Sequence, residues 1–109
     1  MTIEPRGRGT AIVRLVGRLD LISASGLKEG VVAAVGNGQH RLVVDLHAVP
    51  FIDSSGLGAL IGGLKATRLA GGDLRIARPA EQAAMILELT NLNRVLVSYG
   101  TVEEALANF

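Results

Sequence analysis

The sequence predicts an α/β fold: a mixed sheet of four or five strands, mostly parallel with an antiparallel N-terminal pair, carrying about four helices. Three observations support this. Strand-like segments alternate with segments of helical periodicity, which implies a largely parallel sheet with right-handed crossovers. Leu42-Val43-Val44-Asp45-Leu46 is a nearly continuous apolar run, the pattern of a central strand covered on both faces. The chain has 109 residues, 49% of them apolar, which suits one domain over residues 1–109 with one core.

The elements follow in order. Thr10 to Val16 is rich in β-branched residues and reads as a strand, with residues near Ile3 pairing back onto it through a turn at Arg6-Gly7-Arg8-Gly9. Ser23 is a candidate N-cap for a first helix with Ala24, Leu27, Val31, Ala34 and Val35 at helical spacing, and Gly36 stands where a terminating glycine belongs. The run at 42–46 follows, with Val43, Val44 and Leu46 expected at the centre of the sheet. Val49, Phe51 and Ile52 lead to Asp53 and a second helix, with Leu57, Leu60, Ile61, Leu64 and Leu69 on one face and Gly71-Gly72 as its stop. Leu74 to Ala77 is a strand. Pro79 suits the first turn of a third helix with Met85, Ile86, Leu89 and Leu92 on its core side. Val95-Leu96-Val97 is a last strand. Thr101-Val102-Glu103-Glu104 is a capping-box pattern opening a short helix with Val102, Ala105, Leu106 and Phe109 as its apolar stripe.

Composition narrows the function. Eleven basic against ten acidic residues argue against a nucleic-acid binder or a polybasic membrane-surface protein. The absence of cysteine removes disulfides, thiolate metal sites and cysteine nucleophiles, and two histidines make a multi-histidine metal site unexpected. No stretch reaches the roughly 18 consecutive apolar residues of a membrane span. The N-terminus lacks the apolar run of a signal peptide, so no membrane insertion and a cytoplasmic protein are expected. His40 and His47 are expected as exposed strand-end residues, and Arg6, Arg8, Arg14 and Arg18 as a solvated edge. Nothing in the composition calls for a cofactor.

The stretch Ile52-Asp53-Ser54-Ser55-Gly56-Leu57-Gly58 is the candidate site. It leaves the most buried strand and opens a helix, and loops after the carboxyl ends of strands are where α/β folds build sites. Asp53, Ser54 and Ser55 can each cap a helix. Gly56 and Gly58 lack side chains, so another surface can approach the backbone. Enzyme motifs fail at this stretch. The third glycine of a dinucleotide fingerprint would fall at Ile61, and Gly63 is followed by Leu64 rather than the lysine of a phosphate-binding loop. Neither serine has the glycine two residues earlier that a nucleophile elbow needs.

With Gly17-Arg18-Leu19-Asp20 and Val43-Val44-Asp45-Leu46 ahead of it, Phe51-Ile52-Asp53-Ser54-Ser55-Gly56-Leu57-Gly58 resembles the STAS domain family, in its small single-domain form that acts as an anti-sigma factor antagonist. The resemblance covers essentially the whole chain. It implies a STAS-like fold and a partner switch without catalysis by this chain. The unphosphorylated antagonist binds an anti-sigma factor with a histidine-kinase-like ATPase fold, and so frees a sigma factor. That anti-sigma factor is also a serine kinase that phosphorylates the antagonist, and a serine phosphatase reverses the modification. The family's phosphorylated position falls on Ser54. Asp20 falls in the kinase-binding surface, and Asp53, Ser55, Gly56, Leu57 and Gly58 join it as partner-binding residues. Two positions depart from the family: Arg18 stands where glutamate is frequent, and Asn91 replaces a common glycine, in keeping with asparagine's tolerance of the left-handed conformation. The alternative is a STAS adaptor that meets no kinase, such as a subunit of a lipid-transport or other transport assembly. A hydrolase using Ser54 or Ser55 is the weakest alternative, because no base is placed beside either serine.

Overall fold

The computed structural model describes residues 1–107 and 109. Among these residues the strands are β1 (Thr2–Pro5), β2 (Thr10–Val16), β3 (Arg41–Ala48), β4 (Asp73–Ala77) and β5 (Ser98–Tyr99). The helices are α1 (Leu21–Gly36), α2 (Ser54–Leu69), α3 (Glu81–Leu89) and α4 (Val102–Leu106), with a 3₁₀ turn at Leu92–Arg94. The strands form one sheet in the order β1-β2-β3-β4-β5. β1 and β2 are antiparallel, and the other neighbours are parallel, as the sequence predicts.

β3 lies at the middle of the sheet, and Val43, Val44 and Leu46 are fully buried. Alternation sends the side chains of β3 to two cores. Leu42, Val44 and Leu46 join Ala11, Val13 and Leu15 of β2 and Leu74 and Ile76 of β4 under the helix layer, which supplies Leu27, Val31, Leu60, Leu64, Ala83 and Leu87. Val43 faces the other way, with Ile12 and Ala77, and α4 covers them with Val102 and Ala105. Both faces are covered, so the strand carries an unbroken apolar run.

Asp45 interrupts that run and is buried on the α4 side. Arg14 Nη1 and Arg78 Nη2 donate to its carboxylate at 2.7 and 2.6 Å, and the His47 backbone N–H donates at 3.1 Å. Burial pushes its carboxyl up, but the Arg78 hydrogen bond, the His47 N–H and the charges of Arg78 and Arg14 together hold it below the ordinary value of 3.8. Arg78 reaches Asp45 from a left-handed backbone at φ 50°. The arginines at 14 and 18 are therefore more than a solvated edge. Arg14 pairs with Asp45, and Arg18 stacks on Phe51 with its guanidinium carbon 4.2 Å from the ring centroid.

Several local expectations are corrected. α1 is capped by Asp20, not Ser23. The Asp20 carboxylate accepts from the N–H groups of Ile22 and Ser23, and Ser23 closes the capping box from inside the helix. Gly36 is the last residue of α1, and the left-handed position falls on Gly38 at φ 84°. Pro79 precedes the helix, whose cap is Ala80. α3 buries Ala83 and Leu87, while Met85 and Leu89 are exposed. A nine-residue helix buries one narrow stripe here, and a small alanine rather than the larger methionine lies on it. Leu69 is 90% exposed at the end of α2. The last strand is Ser98–Tyr99 rather than 95–97, because the chain is still leaving the 3₁₀ turn there. Leu96 is buried nonetheless, and the Val97 carbonyl accepts from Ile76 N–H at 2.9 Å at the start of the pairing. Asn91 adopts the left-handed conformation at φ 59°.

Candidate functional site

The loops that leave β2 and β3 run side by side. Gly17, at φ 89°, turns the chain out of β2, and its N–H donates to the Ala48 carbonyl at 2.9 Å. Leu19 N–H then donates to Phe51 O at 2.9 Å and Asp53 N–H to Leu19 O at 3.2 Å, a parallel bridge between Leu19 and Ile52. This short ladder extends the sheet past its regular strands. One residue beyond it stand Asp20 and Asp53, each the cap of a helix. The structure thereby brings Asp20 and the 53–58 stretch together at one end of the sheet.

At α1 the cap is closed. Asp20 Oδ1 accepts from Ile22 and Ser23 N–H at 3.1 and 3.2 Å. Ser23 Oγ accepts from Asp20 N–H at 2.9 Å and donates to Arg18 O at 2.7 Å. The Ser23 N–H holds the Asp20 carboxyl below its ordinary value. The Ile22 N–H, the Ser23 hydroxyl and the Arg18 charge add to this against some desolvation, so Asp20 is anionic at neutral pH.

At α2 the cap is simpler. Asp53 Oδ1 accepts from Gly56 N–H at 2.9 Å, and the Asp53 carbonyl accepts from Leu57 N–H at 3.0 Å. Ser54, the first residue of the helix, is exposed, and Ser55 is half-buried. Neither hydroxyl bonds to a described residue. Capping, one use the sequence allows Ser54, is performed by Asp53 instead.

The glycines of the stretch divide by environment. Gly56 is buried, and a Cβ there would run into the Leu19 carbonyl oxygen and lie 3.0 Å from the Ile52 side chain. Gly58 is exposed, and a Cβ there would meet nothing within 4 Å. Leu57 is buried in the main core. Gly56 and Leu57 thus shape the site from inside, while Ser54 and Gly58 form its outer surface.

Sequence reasoning did not single out Gln82. Its side chain, on the first turn of α3, accepts from Ile52 N–H at 2.8 Å and donates to Ile52 O at 3.0 Å. No local pattern marks it, because the two residues lie 30 positions apart.

A family model described as the STAS domain matches residues 3–105. The chain belongs to the STAS domain family. This STAS chain is 30% identical to the anti-sigma-B factor antagonist of Bacillus subtilis over 84 residues, 77% of this chain and 76% of that protein. A Thermotoga neapolitana relative is 35% identical over 69 residues, and the match spans 63% of this chain and 61% of that protein's length. The crystal structure of an anti-sigma factor antagonist from Mycobacterium paratuberculosis superposes with a TM-score of 0.84 at 27% identity, over 96% of this chain and 88% of that one. SpoIIAA in its unphosphorylated form superposes with a TM-score of 0.83 at 22% identity, over 96% of this chain and 91% of that one, a likeness of fold. Among the described residues no helix is long and apolar enough to cross a membrane.

Proposed function

We propose that this STAS chain is an anti-sigma factor antagonist switched by phosphorylation of Ser54. Unphosphorylated, it binds an anti-sigma factor with a histidine-kinase-like ATPase fold and releases a sigma factor. That partner, acting as a serine kinase, modifies Ser54, and a serine phosphatase restores the binding form. The work is cytoplasmic and the chain itself is not an enzyme. The observation that carries this is the Ser54 hydroxyl. It is exposed, free of hydrogen bonds to described residues, and relieved of capping by Asp53. The names of the curated relatives support the role.

The switch follows from charge. A phosphate adds about −1.5 to −2 charges at neutral pH. At a helix N-terminus the dipole favours such a charge by roughly 0.3–1 kcal/mol, so the fold tolerates it. Against a partner surface shaped for a hydroxyl, an unpaired charge costs about 2–5 kcal/mol. That is roughly 30-fold to several-thousand-fold in affinity. The binding effect exceeds the folding effect and has the opposite sign. Asp20, Asp53, Ser55 and Gly58 are the further positions proposed to meet the partner, with Gly56 and Leu57 fixing the helix that presents them.

Calorimetric titration of the unmodified and phosphorylated chains with the anti-sigma factor, beside their melting curves, tests the proposal. Melting within a few degrees and a steep loss of affinity are expected. A large fall in melting temperature with unchanged affinity would mean that the switch acts through folding. Failure of the unmodified chain to bind any anti-sigma factor would favour the transport-adaptor alternative.

A further inference from the structure

The Ile52 peptide groups are held from both sides, by different means. On one side the ladder to Leu19 uses the Phe51 carbonyl and the Asp53 N–H. In a strand successive residues alternate direction, so the Ile52 N–H and C=O point the other way, toward the side where β4 lies. β4 ends at Ala77, and the chain turns away at Arg78 with φ 50°, so no strand backbone reaches Ile52 there. The Gln82 carboxamide occupies that place. It offers one acceptor and one donor on a planar group, as a peptide does, and meets both Ile52 groups at 2.8 and 3.0 Å. Ile52 is almost fully buried, and buried backbone groups left unpaired are costly.

We infer that Gln82 is a positioning residue for the Ser54 loop: its carboxamide replaces the missing strand beside Ile52 and fixes the two residues that lead into Ser54. Asp53, which caps α2, follows Ile52 directly, so the placement of the helix start depends on this clamp. The inference rests on the proposed role of Ser54 and names a residue outside the signature stretch that sets how Ser54 is presented. The chemistry is specific to an amide. A glutamate of the same shape accepts from the Ile52 N–H but turns a second acceptor toward the Ile52 carbonyl.

The test compares the wild-type chain with Gln82→Ala and Gln82→Glu. Phosphate incorporation from ATP is followed in a lysate of the protein's own cells lacking this chain, as a function of added chain. Backbone hydrogen exchange at 52–57 and thermal melting are measured on the same purified proteins. In both variants the apparent KM for the chain should rise about five- to tenfold, the size expected for one disrupted part-buried hydrogen-bonded clamp, with the limiting rate within about twofold. Exchange at 52–57 should accelerate while the rest of the sheet keeps its protection. A role in packing alone predicts that Gln82→Glu behaves as wild type, which would overturn the inference. So would unchanged exchange at 52–57 in Gln82→Ala, whatever the kinetics, or faster exchange with an unchanged KM. A wild-type chain that takes up no phosphate on Ser54 would defeat the proposed function instead, and the exchange data would still decide whether Gln82 holds the loop.

Discussion

Two helices start side by side in this protein, and their first turns spend the same residue types differently. Each is capped by an aspartate, Asp20 for α1 and Asp53 for α2. Behind Asp20 come Leu21, Ile22 and then Ser23, whose hydroxyl returns to the cap. Behind Asp53 come Ser54, Ser55 and then Gly56, which has no side chain to return. The Asp53 N–H goes to Leu19 O instead. In α1 the serine is consumed by structure. In α2 the serines stand at positions where the cap does not need them, and Ser54 faces solvent. The lesson is that a serine hydroxyl is left out of the helix end when its neighbours complete the cap without it.

The strongest way to break this comparison is to copy the α1 pattern into α2. Gly56→Ser recreates the capping-box spacing, yet its Cβ would meet the Leu19 carbonyl, which is already bonded to Asp53. Destabilisation of about 1–3 kcal/mol is expected despite the better capping sequence. Chemical denaturation measures it, and a stability gain would show that the two loops are not wedged as described.

Removing the cap itself is the next largest change. Asp53→Ala should cost about 1 kcal/mol, because the Gly56 N–H loses its acceptor. An unaltered denaturation midpoint would mean that Asp53 contributes nothing to the helix end.

Acid sharpens the comparison at a third level. Asp20 and Asp45 both have folded-state carboxyls held below 3.8. A depressed carboxyl stabilises the fold fully above its unfolded value, and that stability is lost as pH falls through the folded value. Stability should therefore be flat in this respect near neutrality and decline as pH drops below about 4, the unfolded carboxylate range. Asp45→Asn should flatten part of that acid limb in a pH series of denaturation curves. An identical limb would assign the acid loss to other groups.

The smallest expected effect belongs to Ser54. Ser54→Ala should change stability by less than about 0.5 kcal/mol, since Ser54 is exposed and its hydroxyl has no partner among the described residues to lose. A loss as large as that of Asp53→Ala would return Ser54 to a structural role.

Much of this was legible in the sequence. The 42–46 run placed β3 at the centre because burial on both faces leaves a one-dimensional mark. The 52–58 stretch stood out because its small residues cluster at one strand-to-helix turn. The start of α1 was misplaced because exposed Leu21 and Ile22 look like neither cap nor first turn, whereas Ser23 looks like a cap. The α3 stripe was half legible: Ile86 and Leu92 do pack against the main core, whereas side-chain size suggested Met85 and Leu89 where packing selected Ala83 and Leu87. Gln82, Arg14 and Arg78 carried no local signal, because their partners Ile52 and Asp45 are brought near only by the sheet.

The central proposal, that Ser54 at the start of α2 is the switch, is tested most directly by phosphopeptide mass spectrometry of the protein purified from its own cells. Phosphate on Ser54 with Ser55 unmodified is the predicted result. Phosphate on Ser55 alone, or none on either serine under conditions where the cognate anti-sigma factor holds its sigma factor inactive, would contradict it.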